Sequence, residues 1–186
     1  MTKILVFSGS SRPGSLNHKL AELAARSINA SGGAATLISL ADFPLPMVTA
    51  AGFGNAPEPA HKLRDLIDGH AGLFITSPEY NAGYAAELKN ALDWATVARP
   101  GAPGTGLAGK VVGLGAASPG GLGGYRGLTQ LRTVLELGMG ALVIPEMASV
   151  GNAGEAFDAA GNLKDERTAA FFQATIARLV KEAARA

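Results

Sequence analysis

The stretch Ile4-Leu5-Val6-Phe7-Ser8-Gly9-Ser10-Ser11-Arg12-Pro13-Gly14-Ser15-Leu16-Asn17 decides the fold. Its first four residues form an apolar run that reads as a buried strand. Beyond it, Leu16, Leu20, Leu23, Ala24 and Ile28 fall on one helical face. The residues between are therefore a strand-to-helix turn, rich in glycine and hydroxyls and carrying one arginine. A helix N-terminus presents unpaired N–H groups and a partial positive charge. Ser10, Ser15 and Asn17 offer side-chain donors, and Arg12 a full charge with planar donor geometry. Such a turn is an anion cradle. Gly9 and Gly14 have the G-x-x-x-x-G separation, but Ser15-Leu16 stands where a nucleotide-hydrolysing loop needs Lys then Ser/Thr. The turn should hold a phosphate rather than cleave one. The bland alternative is a plain helix cap with Ser15 at the N-cap.

Composition narrows the classes. Of 186 residues, 47% are hydrophobic and 17% charged, with a formal net charge of +1. One domain over residues 1–186 with a sizeable core is expected. Near-neutrality argues against a nucleic-acid protein driven by phosphate neutralisation. With no cysteine, disulfides and thiol catalysis are excluded. The N-terminal apolar run is too short for a signal-peptide core, and no window approaches a membrane span. The expectation is a soluble cytoplasmic protein.

Along the chain, strand-like and helix-like segments alternate. Strands are expected at Ile4–Phe7, Ala34–Leu40, Gly72–Ser77, Lys110–Ala117 and Ala141–Pro145. Helices are expected from Leu16, over Pro57–Gly69, over Ala85–Ala98, around Leu128–Gly138 and over Lys164–Ala184, with Pro/Gly loops at Ala41–Asn55 and Arg99–Gly109. This alternation predicts an α/β fold with a five-stranded parallel sheet and right-handed crossovers. Ligands bind such sheets beyond the carboxyl ends of the strands. The loop Ala41–Asn55 is long and apolar, which suggests a lid, a subunit contact, or a segment tucked onto its own core.

Two further loops leave carboxyl ends. Pro78-Glu79-Tyr80-Asn81-Ala82-Gly83-Tyr84 offers turn residues, two rings for stacking and a lone carboxylate. Ser118-Pro119-Gly120-Gly121-Leu122-Gly123-Gly124 frees many N–H groups for a ligand. The preceding Gly113-Leu114-Gly115 imitates a dinucleotide fingerprint but lies inside the predicted strand and lacks the third glycine. His18, His61 and His70 share no ligand spacing, so no metal site is predicted. Trp94 is expected in the core, and Arg126 is expected to pair with Glu146.

Together the three loops resemble the NADPH-dependent FMN reductases of the flavodoxin-like fold, a group that includes quinone, chromate and azo-dye reductases. Gly9 to Asn17 is similar to the family's G-S-x-R-x-x-S-x-N phosphate loop. Pro78-Glu79-Tyr80-Asn81 followed by Leu88-Lys89-Asn90-Ala91-Leu92-Asp93-Trp94 is similar to its P-E-Y-N and L-K-N-A-(I/L)-D-W signatures. Ala117 to Gly121, with Gln130-Leu131-Arg132, resembles its third flavin loop and the helix after it.

The resemblance implies a doubly wound sheet of order 2-1-3-4-5 and bound FMN. Ser10, Arg12, Ser15, Leu16 and Asn17 would hold the phosphate. Pro78, Glu79, Tyr80 and Asn81 would line the isoalloxazine, and Ser118, Gly120 and Gly121 would complete the pocket. Chemistry would reside in the flavin, with no catalytic side chain. NADPH or NADH would donate hydride, and electrons would pass to a quinone, flavin, azo or metal-oxyanion acceptor by a ping-pong route. The family forms dimers, often tetramers. This sequence departs from the family pattern at Ala82-Gly83, Ala85-Ala86 and Gly121. A flavodoxin-like electron carrier is the alternative, but carriers of that kind are strongly acidic and this chain is nearly neutral.

Overall fold

Apolar residues on both faces of each central strand require cover on both sides, and the architecture follows from that need. The structure is a computed structural model and describes residues 1–97 and 106–186. The order of elements is β1 (Lys3–Ser8), α1 (Leu16–Ala30), β2 (Ala34–Ser39), α2 (Glu58–Asp68), β3 (Gly72–Thr76), β4 (Glu79–Tyr80), β5 (Gly83–Tyr84), α3 (Ala86–Val97), β6 (Val111–Ala117), α4 (Tyr125–Thr133), β7 (Leu142–Val150) and α5 (Glu166–Ala183). The predicted end of α3 at Ala98, and the first part of the predicted loop Arg99–Gly109, lie outside the described residues.

The main sheet has the order β2-β1-β3-β6-β7, with every pairing parallel. This is the flavodoxin-like order 2-1-3-4-5 once the short hairpin β4–β5 is set aside. Strand alternation sorts the core. Leu5 and Phe7 face the side covered by α2, α3 and α4. Ile4 and Val6 face the side covered by α1 and α5. Phe74 of β3 meets Phe172 of α5 edge-on, with ring centroids 6.1 Å apart.

Gly113 and Gly115 lie inside β6, and their role is spatial. A Cβ on Gly113 would stand 2.9 Å from Phe74 Cδ2, and one on Gly115 would stand 3.0 Å from Phe74 Cζ. The apparent fingerprint is the space left for one aromatic ring. Trp94 is buried as expected. His70 ties α2 to β2: Nδ1 lies 2.5 Å from the Leu66 carbonyl oxygen and Nε2 2.8 Å from Thr36 Oγ1.

Two expectations need correction. The fifth strand of the main sheet runs through Val150 rather than ending at Pro145. β7 is an edge strand and bulges, so its register against β6 passes from Val112↔Val143 to Leu114↔Met147. Proline is tolerated at such a bulge because no ladder hydrogen bond is needed there. The loop Pro78–Tyr84 also folds into the hairpin β4–β5, with Asn81 at φ +50° and Ala82 at φ +64°. Positive φ at both central residues is the type I′ geometry that matches strand twist.

Candidate active site

The site is built where β1, β3 and β6 end together. The Gly9 N–H donates to the Thr76 carbonyl at 2.7 Å. A Cβ on Gly9 would come 2.7 Å from Leu88 Cβ, so only glycine lets the turn sit this close to α3. Thr76 Oγ1 donates to the Asn17 carbonyl at 2.8 Å. The Asn17 side chain donates to the Ala117 carbonyl at 3.0 Å and accepts from the Ala117 N–H at 2.9 Å. The first turn of α1 is thereby fixed to the ends of β3 and β6. The Asn17 carboxamide thus spends one of its two N–H donors on Ala117, which leaves the second and the main-chain N–H for a ligand.

Ser10 and Ser15 behave differently. They are 7% and 2% exposed, and neither side chain makes a hydrogen bond among the described residues. Ser15 occupies the N-cap of α1, but its hydroxyl does not cap the helix. Both residues line a cavity of about 190 Å³ together with Arg12 and Leu16. The first turn of α1 carries no acidic residue, so no carboxylate of its own offsets its positive end. Ser10 and Ser15 are buried, but their hydroxyls are not: they open into this cavity and remain available as donors. The donor set fits a phosphate.

Pro78, Glu79 and Tyr80 form another wall of this cavity, with Ser118 opposite. Glu79 and Ser118 also border an adjoining cavity of about 220 Å³, walled by Gly120, Gly121 and Arg126. Every site residue predicted from sequence except Asn81 lines one of these two spaces. Asn81 occupies the hairpin turn instead. Tyr80 is 57% exposed at the mouth, whereas Tyr84 packs on the core below the hairpin.

The glycines of the third loop divide by role. Gly124 has φ +84°, and a Cβ there would meet Ala116 Cβ at 2.6 Å. Gly121 has open space where a side chain would go, so a flat ligand can approach its backbone. At the hairpin base, Ser77 Oγ accepts from the Ala85 N–H at 3.1 Å and donates to the Pro78 carbonyl at 2.9 Å. Ala85 thus supplies a main-chain donor that a proline at this position would lack.

Arg126 pairs with Glu79, not with Glu146, which corrects the expectation. Arg126 Nε donates to Glu79 Oε1 at 2.8 Å, Nη2 donates to the same oxygen, and the Gly127 N–H donates to Glu79 Oε2 at 3.2 Å. The hydrogen bond from Arg126 is the largest influence holding the Glu79 carboxyl below the usual carboxylate range, against an opposing desolvation penalty. Glu146 Oε2 is buried with no partner among the described residues. Sequence reasoning paired Arg126 elsewhere and missed it on the cavity wall. Its signal was an arginine one residue inside the helix that follows a glycine loop.

The L-K-N-A-L-D-W segment lies on α3 and acts on the apolar loop. Asn90 Oδ1 accepts from the Val48 N–H at 2.8 Å. Asn90 Nδ2 and Trp94 Nε1 both donate to the Pro46 carbonyl, at 3.0 and 2.6 Å. Phe43 and Leu45 are tucked onto the core, while Met47 and Phe53 stay exposed. The largest cavity described, about 550 Å³, is bordered by Val111, Leu142 and Arg178. It opens at the amino ends of β6 and β7, away from all three loops.

A doubly wound sheet with a phosphate cradle and a flat-ligand cleft at its carboxyl ends defines a flavodoxin-like flavoprotein. A sequence model of the NADPH-dependent FMN reductase family matches residues 2–155. The chain belongs to that family and is an oxidoreductase with FMN as cofactor and NAD(P)H as electron donor. It is 35% identical over 174 residues to an NAD(P)H-dependent FMN reductase of Pseudomonas aeruginosa, covering 92% of this chain and 89% of that one. It is 34% identical over 133 residues to a quinone reductase of Escherichia coli K12, covering 72% and 69%. Among solved structures, the flavoenzyme NAD(P)H:(acceptor) oxidoreductase FerB of Paracoccus denitrificans matches with a TM-score of 0.82 at 29% identity, covering 100% of this chain and 98% of that one.

Proposed function

We propose that this chain is a cytoplasmic NAD(P)H-dependent quinone-type reductase, working as one domain over residues 1–186. Bound FMN would supply the redox chemistry, with NADPH or NADH as hydride donor and a quinone, flavin, azo or metal-oxyanion compound as acceptor. Both substrates use one open face in turn, so the kinetics are ping-pong. Quinones lead the acceptor classes because several relatives carry that activity in their names.

The observation that carries the reading is the pair of unpartnered hydroxyls on Ser10 and Ser15, opening beside Arg12 into one cavity. These residues, with main-chain N–H groups of the first turn of α1, bind the phosphate. Pro78, Glu79 and Tyr80 on one side and Ser118, Gly120 and Gly121 on the other bracket the ring. Tyr80 offers a stacking surface at the mouth. Glu79 stays ionised against Arg126 at neutral pH and therefore has no proton to give. No side chain of the site is required as an acid or base.

No helix among the described residues is long and apolar enough to cross a membrane. A homodimer or homotetramer is proposed, with the exposed Met47 and Phe53 near the subunit contact. The deciding experiment is a visible spectrum of protein loaded with FMN, desalted, and then given NADPH or NADH without oxygen. Retained flavin that bleaches, and recovers its colour on adding a quinone, is the expected result. Retained flavin that does not bleach identifies an electron carrier instead, and no FMN binding by titration overturns the reading.

A further inference from the structure

Glu79 and Arg126 come from different elements, β4 and the first turn of α4, yet border the same cavity of about 220 Å³ beside Gly120 and Gly121. The Glu79 side chain is 8% exposed and that of Arg126 is 60% exposed. The carboxylate grips the guanidinium through Nε and Nη2. Arg126 Nη1 makes no hydrogen bond among the described residues. A charged pair therefore sits on the cavity wall with its net charge cancelled. Arg12 lies in the neighbouring cavity, with the phosphate cradle.

Reduction by two electrons and one proton adds one negative charge to a flavin. A cation beside the ring favours that form and an anion disfavours it. Both effects are stronger in a partly desolvated cleft than in water. Resting on the flavin reading above, we propose that the Glu79–Arg126 pair sets the flavin's reduction potential by keeping the ring end of the cleft electrically neutral. Glu79 and Arg126 are positioning residues in this role, acting through the field they place at the ring. Each member masks the other, so removing either one unmasks a charge of known sign.

The test is the midpoint potential of the FMN-loaded protein, together with its affinity for oxidised and reduced FMN, at neutral pH. Glu79→Gln keeps an acceptor for the Gly127 N–H but frees the guanidinium, so the potential should rise. Arg126→Gln leaves the carboxylate, so it should fall. Each shift is expected to change the ratio of reduced to oxidised affinity about tenfold, or roughly 30 mV for a two-electron couple. The double variant should return to the wild-type value, and Arg126→Lys should stay near it. Shifts of the same sign, as simple loosening of the hairpin would give, overturn the proposal, as does no shift. Because Arg126 is largely exposed, Arg126→Gln decides the sign by itself if Glu79→Gln does not fold. Wild-type protein that retains no FMN would sink the flavin reading and this proposal with it. Retained FMN with coincident or absent shifts would sink the role of the pair alone.

Discussion

Asn17 forms both hydrogen bonds that an extended peptide would form with Ala117: its amide donates at 3.0 Å and its carbonyl oxygen accepts at 2.9 Å. A side chain thus takes the place of a further strand at the end of β6. Ala117 is 3% exposed and Asn17 is also 3% exposed, so water cannot substitute for either bond. Asn17→Ala should cost about 2–5 kcal/mol, since two buried main-chain groups lose their partners. A denaturant melt of the flavin-free protein measures it, and unchanged stability would remove the clamp from the account.

The Arg12 carbonyl accepts from the Ser15 N–H, but its side chain makes no hydrogen bond or ion pair among the described residues, so its loss acts on the ligand. Arg12→Ala should weaken FMN binding by about 1.5–3 kcal/mol, roughly 10- to 150-fold, while leaving the flavin-free melting temperature unchanged. Fluorescence titration and a thermal melt separate the two effects. Unaltered FMN affinity would reassign the phosphate to other donors.

Ala82 holds φ +64°, a conformation that costs an L-residue about 1–2 kcal/mol. Glycine there forgoes that strain but adds about 0.5–1 kcal/mol of unfolded-chain entropy. Ala82→Gly should therefore stabilise the protein by about 0.5–1 kcal/mol, a rise in Tm of a few degrees. A lower Tm would mean that the hairpin adopts another turn in solution.

Gly113→Ala should destabilise by about 1–3 kcal/mol, as an overpacked core does. The added methyl would meet Phe74 Cδ2 at 2.9 Å and Leu179 Cδ2 at 3.1 Å. Adding Phe74→Leu to this variant should recover part of the loss. Two penalties that simply add would place the strain elsewhere.

The Glu79 carboxyl is held below its ordinary value, chiefly by the hydrogen bond from Arg126. A carboxyl with a lowered folded-state pKa contributes stability above its unfolded value and loses it as pH falls through the folded value. Wild-type protein should therefore be more stable than Glu79→Gln at neutral pH, with the gap closing on acidification. A gap that stayed constant down to the acid transition would show that the pair contributes no ionic stabilisation.

The sequence by itself determined the sheet, the cradle and the family. Continuous apolar runs bounded by glycine-rich turns can be covered only on both faces, and the turn from Phe7 to Asn17 can join only a strand to a helix. These are local or periodic properties, so they are legible along the chain. Only the tertiary structure decided that Asn17 spends its side chain on Ala117, a hundred residues away, while the hydroxyls of Ser10 and Ser15 make no hydrogen bond among the described residues and open into a cavity. The same holds for Arg126, which meets Glu79 because α4 packs against the β4–β5 hairpin, and for Gly113 and Gly115, whose meaning is the ring of Phe74 on the neighbouring strand. Each depends on which groups a parallel sheet brings within a few ångströms. Spacing along the chain carries no record of that distance.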